Sequence, residues 1–475
     1  MFPLYIKTTL EKLNNANFEA YVVGGCVRDI LMKKIPNDWD ITTSATPEEI
    51  MKVFDDAKYE NDFGTVLVPI KEKEELIDVL EITTYRSEQG YSDNRRPDEV
   101  KFENDLEKDL ERRDFTINAL AMDREEEIID LFGGLKDINK EIIRAVGEPI
   151  ERFKEDALRL LRAIRLSAQL DFGIENKTER AILKMAGSVK FVSQERIRDE
   201  LIKMLKTDNG HLAIKRLHDN KILQYILPEL EAGVNVSQNH HHIYTVFEHS
   251  WRALATCPSL DWRVKLAALL HDIGKPKSKR IIKGEATFYN HEYIGAKMTD
   301  KILKRLKFKN EDREKIVNLV KNHMFYYNVG EVTASSVRRL IKKVGKENIK
   351  DLIDLRIADR LGSGTPKAKP YKLRHLEYMM EKVQHDPVSV KSLNINGNDL
   401  IKELKIEPSP KIGAILEVLL AEVIEDPKLN EHELLLKRAK ELQKDNLQDL
   451  RKQAKDSIEQ ENIKEDKKIK KQYYV

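Results

Sequence analysis

Short apolar runs alternate with helical stretches over the first 145 residues of the chain. The runs AYVVGG, WDITT, TVLVPI and EIIDLFGG are rich in β-branched or aromatic residues, as β-strands are. This pattern predicts a sheet combined with helices, in an α/β or an α+β arrangement.

Helical periodicity takes over from about Glu148, and from about Ser389 the helical pattern becomes increasingly charged. Gly173 stands just past the expected end of one such helix. Its apolar positions recur at helical spacing, at Leu158, Leu161, Ile164 and Ala168. Breaks between segments are expected near 233–239 and 362–369.

Charge and cysteine content narrow the class of protein. The 475 residues carry 83 Lys and Arg against 81 Asp and Glu, so the net charge of +2 excludes a uniformly basic coat but not a local basic surface. Cys26 and Cys257 form no disulfide framework, which favours a reducing compartment. No apolar window reaches 18 residues, and we expect a cytoplasmic protein without a membrane segment.

The segment YVVGGCVRDIL predicts a strand, a glycine turn and a helix beginning near Val27. Gly24 and Gly25 permit positive φ angles and close approach of a ligand to the backbone. Free N–H groups at the start of the helix, with Arg28 beside them, would favour a phosphate. An ordinary turn is the alternative.

Asp38 and Asp40 follow ten residues later, on either side of Trp39. Because side chains alternate along a strand, the two carboxylates should share one face while Trp39 packs on the other. Two adjacent carboxylates suit Mg²⁺, and two such ions can clamp the oxygens of a phosphoryl transfer. Glu81, from a neighbouring strand, is the better candidate for a third catalytic carboxylate, and Asp78 is the alternative.

The segment LERRDFTINALAMD concentrates Arg112, Arg113, Asp114 and Asn118 within seven positions. Arginine donors beside an acceptor suit ribose hydroxyls and phosphate oxygens. A salt-bridged start of a helix would explain Arg113 and Asp114 equally well.

Asp156 and Arg159 are three residues apart and would share a face on a helix. Asp accepts hydrogen bonds and Arg donates them. Cytosine and adenine both present an amino donor beside a ring-nitrogen acceptor, so this pair would accept CTP and ATP and reject GTP and UTP. A surface ion pair is the alternative.

A second constellation lies between residues 240 and 360. Its His-Asp pair follows the apolar run LAALL and is hard to explain by packing. Imidazole and carboxylate ligands together suit divalent transition metals. The candidate ligands are His249, His271, Asp272, His291, His323 and Asp359.

These motifs, in this order, resemble class II tRNA nucleotidyltransferases, the CCA-adding enzymes of the polymerase β superfamily. The motifs that carry the resemblance are GGCVRD (24–29), DWD (38–40), RRDFTINA (112–119), DLFGG (130–134), EDALR (155–159) and ERIRDE (195–200). The resemblance implies an α+β head with a mixed sheet, followed by a helical neck, body and tail. The corresponding boundaries are 1–145 for the head, 146–235 for the neck, 236–370 for an HD domain and 371–475 for a tRNA-binding tail.

The resemblance also implies residue roles. Asp38 and Asp40 would hold Mg²⁺ and activate the primer 3′-hydroxyl. DLFGG would form a springy joint, and ERIRDE would help to fix the neck helices. The nucleotide would be bound by Gly24, Gly25, Arg28, Arg113, Asp114, Asn118, Asp156, Arg159, Arg162 and Arg165.

The second constellation resembles the HD-domain metal phosphohydrolases, which implies phosphodiesterase or phosphatase activity on RNA ends. His249, His271, Asp272 and Asp359 match the first metal site. The binuclear members add histidines that correspond here to His291 and His323. His242 is a weaker match.

The partners implied are tRNA, CTP and ATP, in a monomer or homodimer. A segment at 86–100 resembles the loop that helps to switch the pocket from CTP to ATP, which favours full CCA addition. An A-adding enzyme of a split pair is the alternative, followed by a poly(A) polymerase. The intact carboxylates oppose a module that only binds RNA.

Overall fold

The computed structural model describes residues 2–61, 64–72, 75–89, 99–238, 243–384, 390, 393–452, 466–467 and 469–475. His242 and most of the proposed switching segment, 90–98, lie outside the described residues. The chain forms two compact units: Met1–His323 with Asp351–Pro366, and Met324–Lys350 with Lys367–Val475. Among the helices described, none has the length and hydropathy needed to cross a membrane.

The strands of the first unit form one large mixed sheet and three small pairings. They are β1 (Ala20–Val23), β2 (Asp40–Thr43), β3 (Lys58–Asn61), β4 (Thr65–Glu72), β5 (Glu75–Thr84), β6 (Arg86–Gln89), β7 (Glu99–Phe102), β8 (Ala121–Met122), β9 (Ile128–Ile129), β10 (Ile142–Ile143), β11 (Gly173–Ile174), β12 (Arg280–Ile282) and β13 (Glu285–Thr287). The large sheet has the order β3-β4-β5-β2-β1-β8-β9, in which only β2 and β5 pair in parallel.

Helices of the first unit pack against the sheet and then continue without it. They are α1 (Leu4–Asn15), α2 (Gly25–Leu31), α3 (Pro47–Val53), α4 (Leu106–Glu111), α5 (Gly134–Asn139), α6 (Pro149–Glu155), α7 (Leu158–Leu170), α8 (Asn176–Met185), α9 (Gln194–Lys206), α10 (Gly210–Asp219), α11 (Leu223–Ile226), α12 (Pro228–Glu231), α13 (Val246–Ala255), α14 (Trp262–Leu270), α15 (Lys275–Ser278), α16 (His291–Arg305) and α17 (Asn310–Asn322). The predicted mixed sheet followed by helices is confirmed.

The second unit is helical in its described part. It contains α18 (Ala334–Val344), the first two residues of α19 (Ile349–Gly362), α20 (Tyr371–Gln384), α21 (Gly397–Leu404), α22 (Pro410–Glu425) and α23 (His432–Leu442). A separate apolar core joins α21, α22 and α23 through Leu400, Ile415 and Leu435.

The head core forms where α1, α2 and α3 cover one face of the sheet. Ile6, Leu10, Val27 and Ile50 pack there against Ile41 and other strand residues. Burial of such side chains stabilises the sheet by roughly 1.5–3 kcal/mol each. Polar residues of the same strands, such as Asp40 on β2 and Glu81 on β5, line a cavity.

One local expectation is wrong. Helix α2 begins at Gly25 rather than near Val27, because Gly24 supplies the turn by itself with φ of +83°. Helix α7 ends at Leu170, where Asp171 adopts the left-handed conformation expected of a glycine. Gly173 instead pairs with Ile142 in a short parallel bridge. The predicted apolar positions of α7 are all buried.

Candidate functional site

Three carboxylates lie close to the start of β2 and line one cavity. Asp40 opens β2 and lies opposite Glu81 in the parallel register with β5. Asp38 and Asp40 are exposed, whereas Trp39 is buried with its ring centroid 5.8 Å from that of Phe2. The predicted alternation is therefore present, and all three carboxylates line a cavity of about 1380 Å³.

Glu81 and Asp78 differ in where their side chains lie. Glu81 lines the cavity with the two aspartates. Asp78 accepts a hydrogen bond of 3.1 Å from the hydroxyl of Tyr5 on α1. Burial and this carboxylate raise the pKa of Tyr5 to about 12.

Asp40 experiences opposing electrostatic effects. The protein packed around this cavity-facing side chain raises its pKa by restricting solvation, Arg113 lowers it, and Asp38 raises it again. A divalent cation between the carboxylates would relieve their repulsion, because hard oxygen ligands suit Mg²⁺. The donor set therefore fits a metal ion.

The backbone at Gly24 lies close to the side chains of Arg113 and Asp40. A Cβ atom there would lie 3.0 Å from Nη1 of Arg113 and 3.5 Å from Oδ2 of Asp40. Since φ is also positive, the position favours glycine on two grounds. Gly25 and Arg28 follow on α2 and line the same cavity.

A chain of hydrogen bonds connects four of the predicted nucleotide-binding residues. Arg28 Nη1 donates to Asn118 Oδ1 at 2.7 Å, and Asn118 Nδ2 donates to Asp114 Oδ1 at 3.3 Å. Arg162 Nε donates to Asp114 Oδ2 at 2.6 Å. Burial alone would raise the pKa of Asp114, but Arg162 and Arg159 bring it below its ordinary value. Asp114 is therefore held as an ionised acceptor.

Asp156 and Arg159 both line the cavity, but they do not share a helix. Asp156 lies between α6 and α7 with extended backbone angles of −143° and 106°, so the expectation of one helical face is wrong. Arg159 Nη1 donates to Glu155 Oε2 at 2.5 Å, and its Nη2 donates to the carbonyl of Arg112 at 2.9 Å. The polar partners of the two residues thus differ.

The His-Asp constellation assembles into a second site. Nε2 of His249 lies 3.2 Å from Oδ2 of Asp272 and 3.0 Å from Nε2 of His271. Oδ1 of Asp272 faces the other side, 3.2 Å from Nε2 of His291 and 3.8 Å from Nε2 of His323. Two groups that could hold a metal ion therefore share Asp272.

The backbone fixes how three of these imidazoles point. The Nδ1 atoms of His271, His291 and His323 lie 2.7–2.8 Å from carbonyl oxygens within their own turns. A carbonyl only accepts, so Nδ1 of each ring carries a proton, and the Nε2 atoms face the shared carboxylate. The ring orientations fit a metal ion.

Two further charged residues, Asp359 and Lys275, lie at this site. Oδ1 of Asp359 lies 3.3 Å from Nε2 of His249. The Lys275 ammonium, which sequence reasoning missed, lies 2.5 Å from Oδ2 of Asp272 and 2.6 Å from Oε1 of Gln238. Although burial raises the pKa of Asp272, His271 and Lys275 lower it well below its ordinary value.

Three sequence-family models match the chain. The model described as "Poly A polymerase head domain" covers residues 20–144, and "Probable RNA and SrmB- binding site of polymerase A" covers 171–233. The model described as "HD domain" covers 246–363 and includes the second site.

Several curated relatives match about nine-tenths of the chain. The CCA-adding enzyme of Enterococcus faecalis is 34% identical over 435 residues, which are 91% of this chain and 94% of that protein. The chain belongs to the CCA-adding enzyme family. The CCA-adding enzyme of Ligilactobacillus salivarius is 34% identical over 442 residues, with coverage of 91% and 95%. As a family member, the chain is a nucleotidyltransferase.

The fold agrees with solved structures of CCA-adding enzymes. The Bacillus stearothermophilus enzyme in complex with CTP aligns with a TM-score of 0.62 and 27% identity over 94% of this chain and all of that one. The Thermotoga maritima enzyme complexed with tRNA_CCA aligns with a TM-score of 0.52 and 21% identity over 92% of this chain and 95% of that one. This second match shows the shared fold alone.

Within this member of the CCA-adding enzymes, Asp109 is a site residue that sequence reasoning missed. It is fully buried on α4, and Arg112 Nε and Arg113 Nη2 donate to its two oxygens at 3.0 and 3.1 Å. The spacing of DLERRD, with arginines three and four residues after the aspartate, was the available signal. Asp109 fixes the arginines that border the cavity.

Arg196 is a second residue that the sequence did not single out, although it lies in the motif ERIRDE (195–200). It lies on α9 and donates to both oxygens of Asp156. Arg165 Nε donates to Glu200 Oε2, also on α9, at 2.7 Å.

Among the described residues, ten Lys and Arg and seven Asp and Glu line the cavity, so the cavity is more basic than the chain as a whole.

Proposed function

We propose that this chain adds C, C and A to the 3′ end of tRNA from CTP and ATP without a nucleic-acid template. The observation that carries the proposal is the single cavity lined by the three carboxylates, the Gly24–Gly25 turn, and Asp156 with Arg159. A protein that only binds RNA has no need of this combination.

Each part of the cavity has a role in the transfer. Asp38, Asp40 and Glu81 would hold Mg²⁺, which supplies the clamp for the attacking and leaving oxygens. The glycine turn and Arg28 hold the triphosphate, while Arg113 and Asp114 contact the ribose. The primer 3′-hydroxyl loses its proton, its oxygen bonds to the α-phosphorus, and the bond to the departing pyrophosphate breaks.

Base selection rests on complementary hydrogen bonding. Asp156 accepts from the amino group that cytosine and adenine share, and Arg159 donates to the neighbouring ring nitrogen. Guanine and uracil present a donor and an acceptor in the reverse order, which would leave polar groups unpaired at a cost of about 1–3 kcal/mol each. Protein side chains therefore take the place of a template base.

Three tRNA transcripts test the proposal: one lacking CCA, one ending in C and one ending in CC, each incubated with one NTP at a time. CTP incorporation on the first and ATP incorporation on the third are expected. Activity only with ATP on the CC-ending transcript would assign A addition instead. Repeated ATP addition to unrelated RNA would assign the poly(A) polymerase alternative, and Asp40→Asn controls for contaminating enzymes.

The remaining expectations belong to the same proposal. We assign residues 1–145 to the transferase head, 146–235 to the neck, 236–370 to the HD domain and 371–475 to a tRNA-binding tail. We place the protein in the cytoplasm as a monomer or homodimer. Cell fractionation tests the location, and light scattering of the purified protein tests the oligomeric state.

We also propose a metal-dependent phosphohydrolase activity for the HD site. The observation that favours it is the set of imidazoles whose Nε2 atoms face the two oxygens of Asp272. A divalent transition metal there would supply an activated water near neutral pH. The substrate class we assign is a phosphate at an RNA end, such as a 2′,3′-cyclic phosphate.

RNA ending in a 2′,3′-cyclic phosphate, incubated with Mn²⁺, Co²⁺ or Ni²⁺, tests this second activity. Opening of the ring by the native chain and its loss in His271→Ala are expected, together with loss of bound metal. If the native chain binds metal but leaves such substrates and simple phosphomonoesters intact, the phosphohydrolase proposal is wrong.

A further inference from the structure

The carboxylate of Asp156 is held on both oxygens by one guanidinium. Arg196 Nη1 donates to Oδ1 at 3.1 Å, and Arg196 Nη2 donates to Oδ2 at 2.7 Å. The side chains of Asp156 and Arg196 are 17% and 25% exposed, and both residues line the cavity. Bidentate pairing of this kind fixes the orientation of the carboxylate and also strengthens the contact.

A third donor further restricts Asp156. The backbone N–H of Leu158, the first residue of α7, donates to Oδ1 at 3.0 Å. A carboxylate offers about four acceptor positions. Among the contacts of the described residues, Arg196 uses one on each oxygen and Leu158 uses the second on Oδ1, so one acceptor position on Oδ2 is left for a ligand. That number matches the single amino hydrogen bond required to read cytosine or adenine.

The opposite partner of the reading pair is held independently. Arg159 donates from Nη1 to Glu155 Oε2 at 2.5 Å and to the carbonyl of Arg152 at 3.2 Å. Arg196 therefore acts on the acceptor of the pair and has no hydrogen bond to its donor among the described contacts.

We propose that Arg196 is a positioning residue for base selection: it orients the Asp156 carboxylate so that the remaining acceptor position of Oδ2 faces the base. An acceptor in that position pairs with the amino group of cytosine or adenine but opposes the carbonyl oxygen of uracil or guanine. Arg196 thereby sets the rejection of UTP and GTP. The inference rests on the proposed base-reading role of Asp156.

Single-turnover addition to a tRNA transcript lacking CCA, with CTP or UTP, tests this role. In Arg196→Ala the ratio of kcat/KM for CTP to that for UTP should fall about tenfold, the effect of one charged hydrogen bond. Arg196→Lys, which keeps the charge but loses the planar fork, should recover part of the ratio. Arg198→Ala is the matched control on α9, because Arg198 contacts Asp199 and the carbonyl of Lys307 instead.

Asp156→Ala and the Asp156→Ala/Arg196→Ala double variant separate the possible failures. If Asp156→Ala leaves the CTP to UTP ratio unchanged, the base-reading proposal itself fails. If Asp156→Ala lowers the ratio but Arg196→Ala slows CTP and UTP addition equally, Arg196 is only structural and the inference is overturned. An unchanged ratio on adding Arg196→Ala to the Asp156 variant supports the inference, because the two residues then act through one contact.

Discussion

Glu81 and Asp78 differ in what surrounds them, although both lie on β5. Glu81 lies across from Asp40 in the strand register, while Asp78 accepts a hydrogen bond from Tyr5. We expect Glu81→Gln to lower CTP incorporation at least 100-fold, because a neutral amide is a poor ligand for the cation that balances Asp38 and Asp40. Asp78→Asn is the control and should change the rate less than threefold. Equal losses in single-turnover assays would show that the geometry misidentifies the third carboxylate.

Gly24 allows a second comparison between neighbouring residues. Its φ of +83° and the distance of 3.0 Å from Arg113 to the position that an added Cβ would occupy make alanine unfavourable, by roughly 1–3 kcal/mol. Gly25 has no positive φ, and the nearest neighbour of an added Cβ would lie 3.5 Å away, an ordinary contact. Gly24→Ala should therefore reduce both the free energy of unfolding and CTP incorporation, whereas Gly25→Ala should retain most of its stability. Urea unfolding of the two variants measures the difference, and equal midpoints would contradict it.

At the scale of elements, α14 links a surface charge cluster to the HD site. Asp261 caps the helix by accepting from Arg263 N at 2.9 Å, and Lys315 Nζ donates to it at 2.9 Å. His271 and Asp272 follow directly at the other end. The interactions around Asp261 therefore stabilise the helix that carries the His-Asp pair.

The charge of Asp261 predicts a defined pH dependence. Burial raises its pKa, but Arg263 and Lys315 outweigh that effect and lower it to about 2. The resulting stabilisation, about 2 kcal/mol, is complete above the ordinary pKa near 4 and is lost as pH falls towards 2. Asp261→Asn keeps the cap but removes the charge, so it should destabilise the chain at pH 6 and progressively less at pH 4 and pH 3.

Chemical unfolding of Asp261→Asn at these three pH values measures this effect. Asp219→Asn is the control, because Asp219 forms an exposed ion pair with Lys215 that is worth under about 1 kcal/mol. A constant difference between the native chain and Asp261→Asn from pH 6 to pH 3 would show that the carboxylate charge is not the cause.

Periodicity predicted elements better than it predicted their ends. Buried positions at helical spacing identified α7 correctly, because burial repeats along the helix. The break before α7 was missed, since an aspartate can either continue a helix or cap the next one. The extended backbone of Asp156 and the hydrogen bond that it accepts from Leu158 N distinguish the two. Asp109 escaped notice for a similar reason, because its partners define its role.

At the scale of the whole molecule, residue type and order were enough to predict two chemistries. The head carboxylates and the His-Asp residues could be chosen from the sequence because metal ligands belong to few residue types. Their grouping required the fold: the parallel pairing of β2 with β5 brings Glu81 to Asp40, and four helices and their ends bring the imidazoles to Asp272.

The residues described at the two centres do not overlap, and this predicts that the centres can be inactivated separately. His271→Ala removes an Nε2 ligand from the buried HD group but leaves the cavity of Asp40 and Arg113 unchanged. We expect this variant to lose bound transition metal while its CTP incorporation stays within about threefold of the native rate. Asp40→Asn should show the reverse, with the transition metal of the HD site retained and CTP incorporation lost. Metal analysis and single-turnover assays on both proteins measure the two effects, and loss of both properties in either variant would show that the centres depend on each other.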